Sequence, residues 1–266
     1  MGYGGAVTVH TFHLAKPGLA RVAMTLLRPP SAATVAGLRH AECMVPMRLG
    51  ASIVSPGRWQ LRRLAMFAAW EDEAAIDDFL GGTSLGRALA AGWHVRLRFL
   101  RRWGRVAAFD GLPATAGDTD PEAPVVAVTL ARLRLLQVPR FIRWGKPVER
   151  LVRDHPGATL ALAAARPWRT ISTFTVWHSA REMDEMVHGR SAIPAPERHA
   201  AAMVERRRKD FHREFTTLRF TCIGEHGRWE GRESIVPMRG VARDTDRGPE
   251  AVEDVESSTH SMSGGR

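Results

Sequence analysis

The sequence predicts an α+β fold built from two consecutive ferredoxin-like halves, each with an antiparallel sheet covered by helices on one face. Residues 171–187 give the first indication. Apolar spacing there changes from two residues to about 3.6, which is typical of a strand that runs directly into a helix. Residues 64–80 show the same change. The two segments align residue for residue, so that Trp70 matches Trp177 and Asp77 matches Asp184.

The first half, residues 1–113, is expected to contain a strand, a helix, two strands, a helix and closing strands. Pro17-Gly18 opens the first helix and Pro29-Pro30 closes it. Residues 55–57 form a turn between two strands. Residues 1–5 are expected to be flexible. The predicted strands are 6–14, 43–54, 59–70, 94–100 and 105–109, and the predicted helices are 19–27, 71–82 and 85–91; residues 32–40 would continue the crossover after the first helix.

The second half, residues 125–237, repeats this order after a linker at 114–124 that is rich in Gly, Pro, Asp and Thr. Ser179 and Glu182 are spaced as a capping box at the start of a helix. Residues 238–266 contain almost no large apolar side chains, so this tail is expected to be disordered. The predicted strands are 125–133, 158–165, 168–177, 214–223 and 228–230, and the predicted helices are 139–155, 180–188 and 197–212.

Charge and composition limit the classes of function. The net charge is +10 and comes almost entirely from arginine, but the basic clusters at 101–102 and 206–209 are short and lack interleaved aromatics. These clusters argue against nucleic-acid binding and favour weak contact with an anionic membrane. Without an apolar run of about 18 residues or a signal peptide, the chain is expected to be cytoplasmic and peripheral to the membrane at most.

Several common catalytic motifs are missing from the sequence. The chain has no nucleophile elbow, Walker loop, dinucleotide-binding glycine pattern or His-Glu-x-x-His motif. Its two cysteines, Cys43 and Cys222, lie too far apart in sequence for a thiolate metal motif. Hydrolase and nucleotide-dependent chemistries are therefore disfavoured.

A set of short motifs resembles the spheroidene monooxygenase family of carotenoid-oxidising proteins over roughly residues 6–237. The motifs lie at 47–50, 66–70, 174–177, 183–186, 199–203 and 224–231. The resemblance implies a dimeric α/β-barrel type of fold that uses haem and dioxygen to oxidise an acyclic carotenoid. His178 and Ser179 stand where the family more often has proline and aspartate, and loop 190–197 is rich in proline and alanine where the family has glycines. These departures allow another substrate.

Within this resemblance, His199 is the preferred axial ligand for haem iron, since haem chemistry needs one strong protein ligand. On a helix, Met203 and Arg206 or Arg207 follow on the same side. Met203 would line the haem and Arg206 would reach a propionate. His188 and His178 are the runners-up. His10 and His13 point to opposite faces of one strand, and His212 and His226 are expected to be exposed.

Three functions remain open from the sequence. The first is a haem-dependent monooxygenase that oxidises a carotenoid or terpenoid-like substrate taken from a membrane, with electrons from a donor such as a ferredoxin. The second is a non-catalytic protein of the same fold that binds haem or a small apolar ligand. The third is a cofactor-free oxygenase. All three use a cavity between sheet and helices.

Overall fold

Eight antiparallel strands close into a barrel in the computed structural model, which describes residues 8–52, 55–167 and 170–237. The first half contributes β1 Val9–Ala15, α1 Leu19–Leu27, β2 Leu38–Met47, β3 Leu64–Trp70, α2 Glu73–Gly82, α3 Ser84–Ala90 and β4 Trp93–Arg105. The second half contributes β5 Val125–Leu133, α4 Val138–Arg153, β6 Ala158–Arg166, β7 Thr170–Trp177, α5 Ala180–Val187, α6 Arg198–Arg208 and β8 His212–Gly227. The predicted flexible start and disordered tail lie outside the described residues.

The strand order confirms the predicted tandem ferredoxin-like fold. Strands run β4-β1-β3-β2 in the first half and β8-β5-β7-β6 in the second, which is the same order relative to the start of each half. The two sheets join at both edges, where β2 pairs with β6 and β4 pairs with β8. The facing sheets are therefore one continuous barrel.

The two halves also repeat specific side-chain contacts. Each matched tryptophan donates its indole Nε1 to a threonine, although the two threonines are not equivalent: Trp70 donates to Thr11 Oγ1 on β1 at 2.8 Å, and Trp177 donates to Thr175 Oγ1 on its own strand β7 at 2.9 Å. An arginine on the fourth strand of each half binds an aspartate on the helix after the third strand. These pairs are Arg96 with Asp77 and Arg219 with Asp184. The aspartates are the pair matched by sequence alignment.

The barrel interior is packed with side chains. Phe12 and Phe174 stack across it with ring centroids 3.8 Å apart. His10 also points inward, among phenylalanines of β3, β4 and β8. Alternate residues of every strand face outward, where the helices lie.

Some predicted boundaries are wrong because strand pairing extends further than local sequence indicates. Residues 32–37 are not helical, and β2 already begins at Leu38. The strand predicted at 105–109 is the end of β4 followed by a short 3-10 turn, and β8 continues unbroken to Gly227. The long pairing of β4 with β8 at the seam between the halves accounts for both corrections.

The predicted strand ends at Val54 and Trp168 lie outside the described residues. No helix among the described residues is long and apolar enough to cross a bilayer.

Candidate functional site

One row of outward-facing side chains distinguishes the two halves. In the first half the row is Met66, His13 and His94 on paired strands, and all three side chains are buried. In the second half the equivalent row is Thr173, Thr129 and Thr217. Thr173 is exposed and the other two threonines are partly exposed, although the row crosses the middle of the sheet.

The difference in packing follows from side-chain size. In the first half, α1, α2 and α3 press apolar side chains such as Val22, Ile76 and Leu89 into one core with Met66. Threonine is shorter than methionine, so the same helix layer cannot reach it. The three threonines (the threonine row) are therefore less covered by helices than their counterparts, and we infer from their exposure a groove between the sheet and the helices of the second half. Beside the row, the outward side chains are small: Ala127 and Ala131 on β5 and Ala161 on β6.

Packed side chains border the groove at both ends. At one end Trp177 and Val125 pack with Leu151 of α4 and with Met183 and Met186 of α5. At the other end the guanidinium carbon of Arg206 lies 3.8 Å from the centroid of the Phe215 ring. Helix α6 runs from the end of α5 to this second end, and so passes along the groove.

His199 stands at the start of α6, beside the end of α5. Its Nδ1 lies 2.9 Å from the carbonyl oxygen of Val187. Burial lowers the pKa of His199, so the imidazole is neutral near pH 7. A neutral ring that donates from Nδ1 to a carbonyl carries its lone pair on Nε2, which is the usual arrangement of a metal-binding histidine. No other described residue hydrogen-bonds this Nε2.

The other two predicted site residues follow His199 along α6. Met203 is partly buried. Arg206 turns toward the sheet through its contact with Phe215, and its Nε lies 3.6 Å from a carboxylate oxygen of Asp210. The helical spacing of four and seven residues puts both on the side of His199. The structure thus places the three residues along one face of α6, and their roles stay predictions.

The runner-up histidines differ from His199 in their surroundings. His188 is exposed, with Nδ1 2.6 Å from the carbonyl oxygen of Asp184. His178 lies between β7 and α5 and is partly exposed.

The prediction that His212 is exposed is wrong. Its ring is buried among Phe141, Phe211 and Phe215 at the Arg206 end of the groove. Its Nδ1 is 3.1 Å from Asp210 Oδ1, and its Nε2 has no partner in the described residues. Its burial depends on Phe141, a residue from a distant part of the sequence, so local sequence gives no signal beyond the Asp-x-His spacing.

The thiols are poor candidates for iron ligands. Burial raises the pKa of Cys43 to about 12 and that of Cys222 to about 11. The thiolate is the form that binds metal, so both cysteines are unfavourable ligands at neutral pH. Across the described residues, no three His, Cys, Asp or Glu side chains are clustered as metal ligands.

The fold defines a protein of the dimeric α/β-barrel type in which a single chain supplies both halves. No family model matches the chain. It is 30% identical over 173 residues to a spheroidene monooxygenase of Rubrivivax gelatinosus, which covers 64% of each protein. It is 24% identical over 113 residues to the spheroidene monooxygenase of Cereibacter sphaeroides, covering 42% of this chain and 33% of that protein. The predicted resemblance to spheroidene monooxygenases is confirmed, and the matches span less than two thirds of these relatives.

Among solved structures, an aldoxime dehydratase in complex with butyraldoxime matches with a TM-score of 0.49 and 8% identity, covering 81% of this chain and 79% of that one. A haem-degrading enzyme from Listeria monocytogenes matches with a TM-score of 0.25 and 10% identity, covering 78% of this chain and 97% of that one. These similarities are too distant to bear on function.

Proposed function

We propose that the chain is a haem-dependent monooxygenase that oxidises a hydrophobic carotenoid or terpenoid-like substrate. The observation that carries this proposal is the threonine row, which leaves room beside α6 where the first half is filled. The named relatives support the oxidation of a carotenoid, and the neutral His199 supports haem as the cofactor.

The groove residues fit a haem. His199 would hold the iron through Nε2, with its ring oriented by the Val187 carbonyl. Met203 would lie against the porphyrin. Arg206 would turn to a propionate, because its 3.6 Å pair with Asp210 is longer than a hydrogen bond and is replaceable. When bound, haem supplies the activation of dioxygen, while the protein positions the substrate and limits the access of water.

The substrate and the electron donor are the remaining parts of the proposal. An acyclic polyene or terpenoid has no charge to anchor, so a groove floored by small threonine and alanine side chains without charge suits it. Electrons would come from a donor such as a ferredoxin, an acidic protein that would suit the basic surface of this chain. The alternative is a protein of the same fold that binds haem or an apolar ligand without catalysis.

Haemin titration followed by visible spectroscopy tests the cofactor. We expect a Soret band with wild-type protein that shifts or disappears in His199→Ala, whereas His188→Ala should bind haemin like wild type. A band unchanged in His199→Ala would reject that residue as the ligand. If wild type gives no protein-specific band, the haem proposal is wrong and a cofactor-free oxygenase or a binding protein remains.

Turnover separates the monooxygenase from its non-catalytic alternative. Haem-loaded protein with an acyclic carotenoid, dioxygen and a reductant should yield an oxygenated product, detected by mass spectrometry with one atom from ¹⁸O₂. Haem binding without incorporation of the label would favour the alternative, a haem-binding protein without catalytic activity.

A further inference from the structure

Two adjacent leucines project from the second half between β5 and α4. Leu136 is 94% exposed, more than any other large apolar side chain in the described residues, and its neighbour Leu135 is 52% exposed. They form a short 3-10 turn, Leu135–Gln137, immediately before α4. Single exposed leucines are common on protein surfaces, whereas an adjacent exposed pair on a turn forms an apolar tip, a feature typical of interaction sites.

Hydrogen bonds place this turn beside the basic end of α6. The backbone nitrogen of Arg134 donates to Phe211 O at 2.9 Å, and its Nε donates to His212 O at 2.9 Å. Arg140, one turn into α4, donates to the carbonyl oxygen of Lys209 at 2.9 Å. The leucine pair therefore lies next to the segment that carries the cations of the α6 end.

Only some of the cations around the leucines are paired with carboxylates. Glu205 is held by Arg140 and Arg208, and Asp210 faces Arg206 and His212. Three further exposed cations form no ion pair with a carboxylate of the described residues: Arg207, Lys209 and Arg213. An apolar tip with unpaired cations beside it is complementary to a surface that is anionic outside and apolar beneath.

We propose that Leu135, Leu136 and these three cations form a docking surface for an anionic lipid bilayer (the leucine tip). The leucines insert into the interface and the cations bind lipid phosphates, as in other peripheral anchors. Nucleic acid offers no apolar layer for two protruding leucines. An acidic protein surface is the competing occupant, and the choice of lipid rests on the proposed function because the groove requires a membrane-soluble substrate.

The leucine tip lies near one end of the groove. Strand β5 carries Thr129 on the groove floor, and its chain leads past the level of Phe215 to the leucines. The Arg206 end of the groove is therefore the end nearest the docked membrane. A long apolar substrate would pass from the bilayer into the groove over a short path.

Vesicle co-sedimentation tests the surface on the full chain. Wild type should bind vesicles of phosphatidylcholine with phosphatidylglycerol and bind pure phosphatidylcholine much more weakly. The double variant Leu135→Ser/Leu136→Ser should lose at least about tenfold in partitioning. Leu27→Ser is the matched control, because Leu27 is 75% exposed at the end of α1, and it should bind like wild type.

A second variant tests the charges. Arg207→Gln/Lys209→Gln should weaken binding to the anionic vesicles and reduce its dependence on salt, with little effect on neutral vesicles. The inference is overturned if the double serine variant binds like wild type, if Leu27→Ser loses as much, or if neutral vesicles bind equally well. Binding of an acidic ferredoxin at this surface without any binding of vesicles would also overturn it.

Haemin titration of the double serine variant separates this inference from the proposed function. The Soret band should match that of wild type, because the leucines do not line the groove. If vesicle binding fails while haem binds, only the docking surface is wrong. If vesicles bind and haem does not, the proposed function is wrong and the docking surface is supported.

Discussion

Exchanging the equivalent residues Met66 and Thr173 tests whether the groove is the ligand site. Met66→Thr removes a fully buried side chain from the core under α1, α2 and α3. The lost burial of about two methylenes amounts to about 1.6 kcal/mol. The cavity and the buried hydroxyl add to this, so we expect a loss of about 3 kcal/mol of unfolding free energy.

Thr173→Met should behave in the opposite way. Thr173 is exposed, so its replacement should change stability by no more than about 0.5 kcal/mol in the ligand-free protein. The larger side chain would fill the groove as Met66 fills the first half. Haemin affinity should therefore fall by at least about tenfold, since even one misplaced heavy group in a packed site costs on the order of 1–3 kcal/mol.

Urea unfolding of ligand-free protein and haemin titration measure the two effects separately. Thr173→Val is the control, because valine has the shape of threonine and leaves the groove open, and it should bind haemin like wild type. Unimpaired haemin binding by Thr173→Met would refute the placement of the ligand in the groove. A cost below about 1 kcal/mol for Met66→Thr would refute the packing difference between the halves.

Two further predictions concern stability. Burial lowers the pKa of His94 to about 4 and that of His13 well below its usual value, so both rings are neutral in the folded protein while the unfolded chain binds protons below about pH 6.5. The free energy of unfolding is therefore highest above pH 6.5 and falls as the pH drops toward 4, by roughly 1.4 kcal/mol per pH unit for each histidine. Denaturant unfolding at pH 7 and pH 5.5 should show this fall. The variant His94→Phe should reduce the dependence of the unfolding free energy on pH. Asp184→Ala leaves the buried guanidinium of Arg219 without its carboxylate and should lower the free energy of unfolding by about 3 kcal/mol. Asp77→Ala should lower it by under about 1 kcal/mol, because Arg96 keeps a second carboxylate, that of Glu73. Equal losses in urea unfolding would contradict this reasoning.

The sequence predicts the parts of the fold that depend on local pattern. The strand–helix units at 64–80 and 171–187, whose strands end at Trp70 and Trp177, are visible from periodicity, and their alignment predicts the tandem repeat. The joining of the halves through β2–β6 and β4–β8 depends on contacts between distant segments, which a pattern of alternation does not contain. For this reason the length of β8 is predicted incorrectly. The early start of β2 at Leu38 follows from its pairing with β3 within the first half.

The candidate site also combines features that local sequence predicts with features that depend on contacts between distant segments. Helical spacing is enough to put His199, Met203 and Arg206 on one side of α6. The hydrogen bond from His199 to Val187 and the burial of His212 depend on how α5 and α4 pack, so they appear only in the structure. The threonine row is readable from the sequence only after strand register identifies Thr173 as the counterpart of Met66.

The covalent link between the halves has a consequence for the evolution and the stoichiometry of the site. If two identical chains formed such a barrel, every substitution would occur twice, and a groove opened in one copy would open in the other. Here the two copies have diverged, one into a scaffold with a filled core and one into a receptor with a gap. If the proposed site binds haem, this asymmetry predicts saturation at one haem per polypeptide.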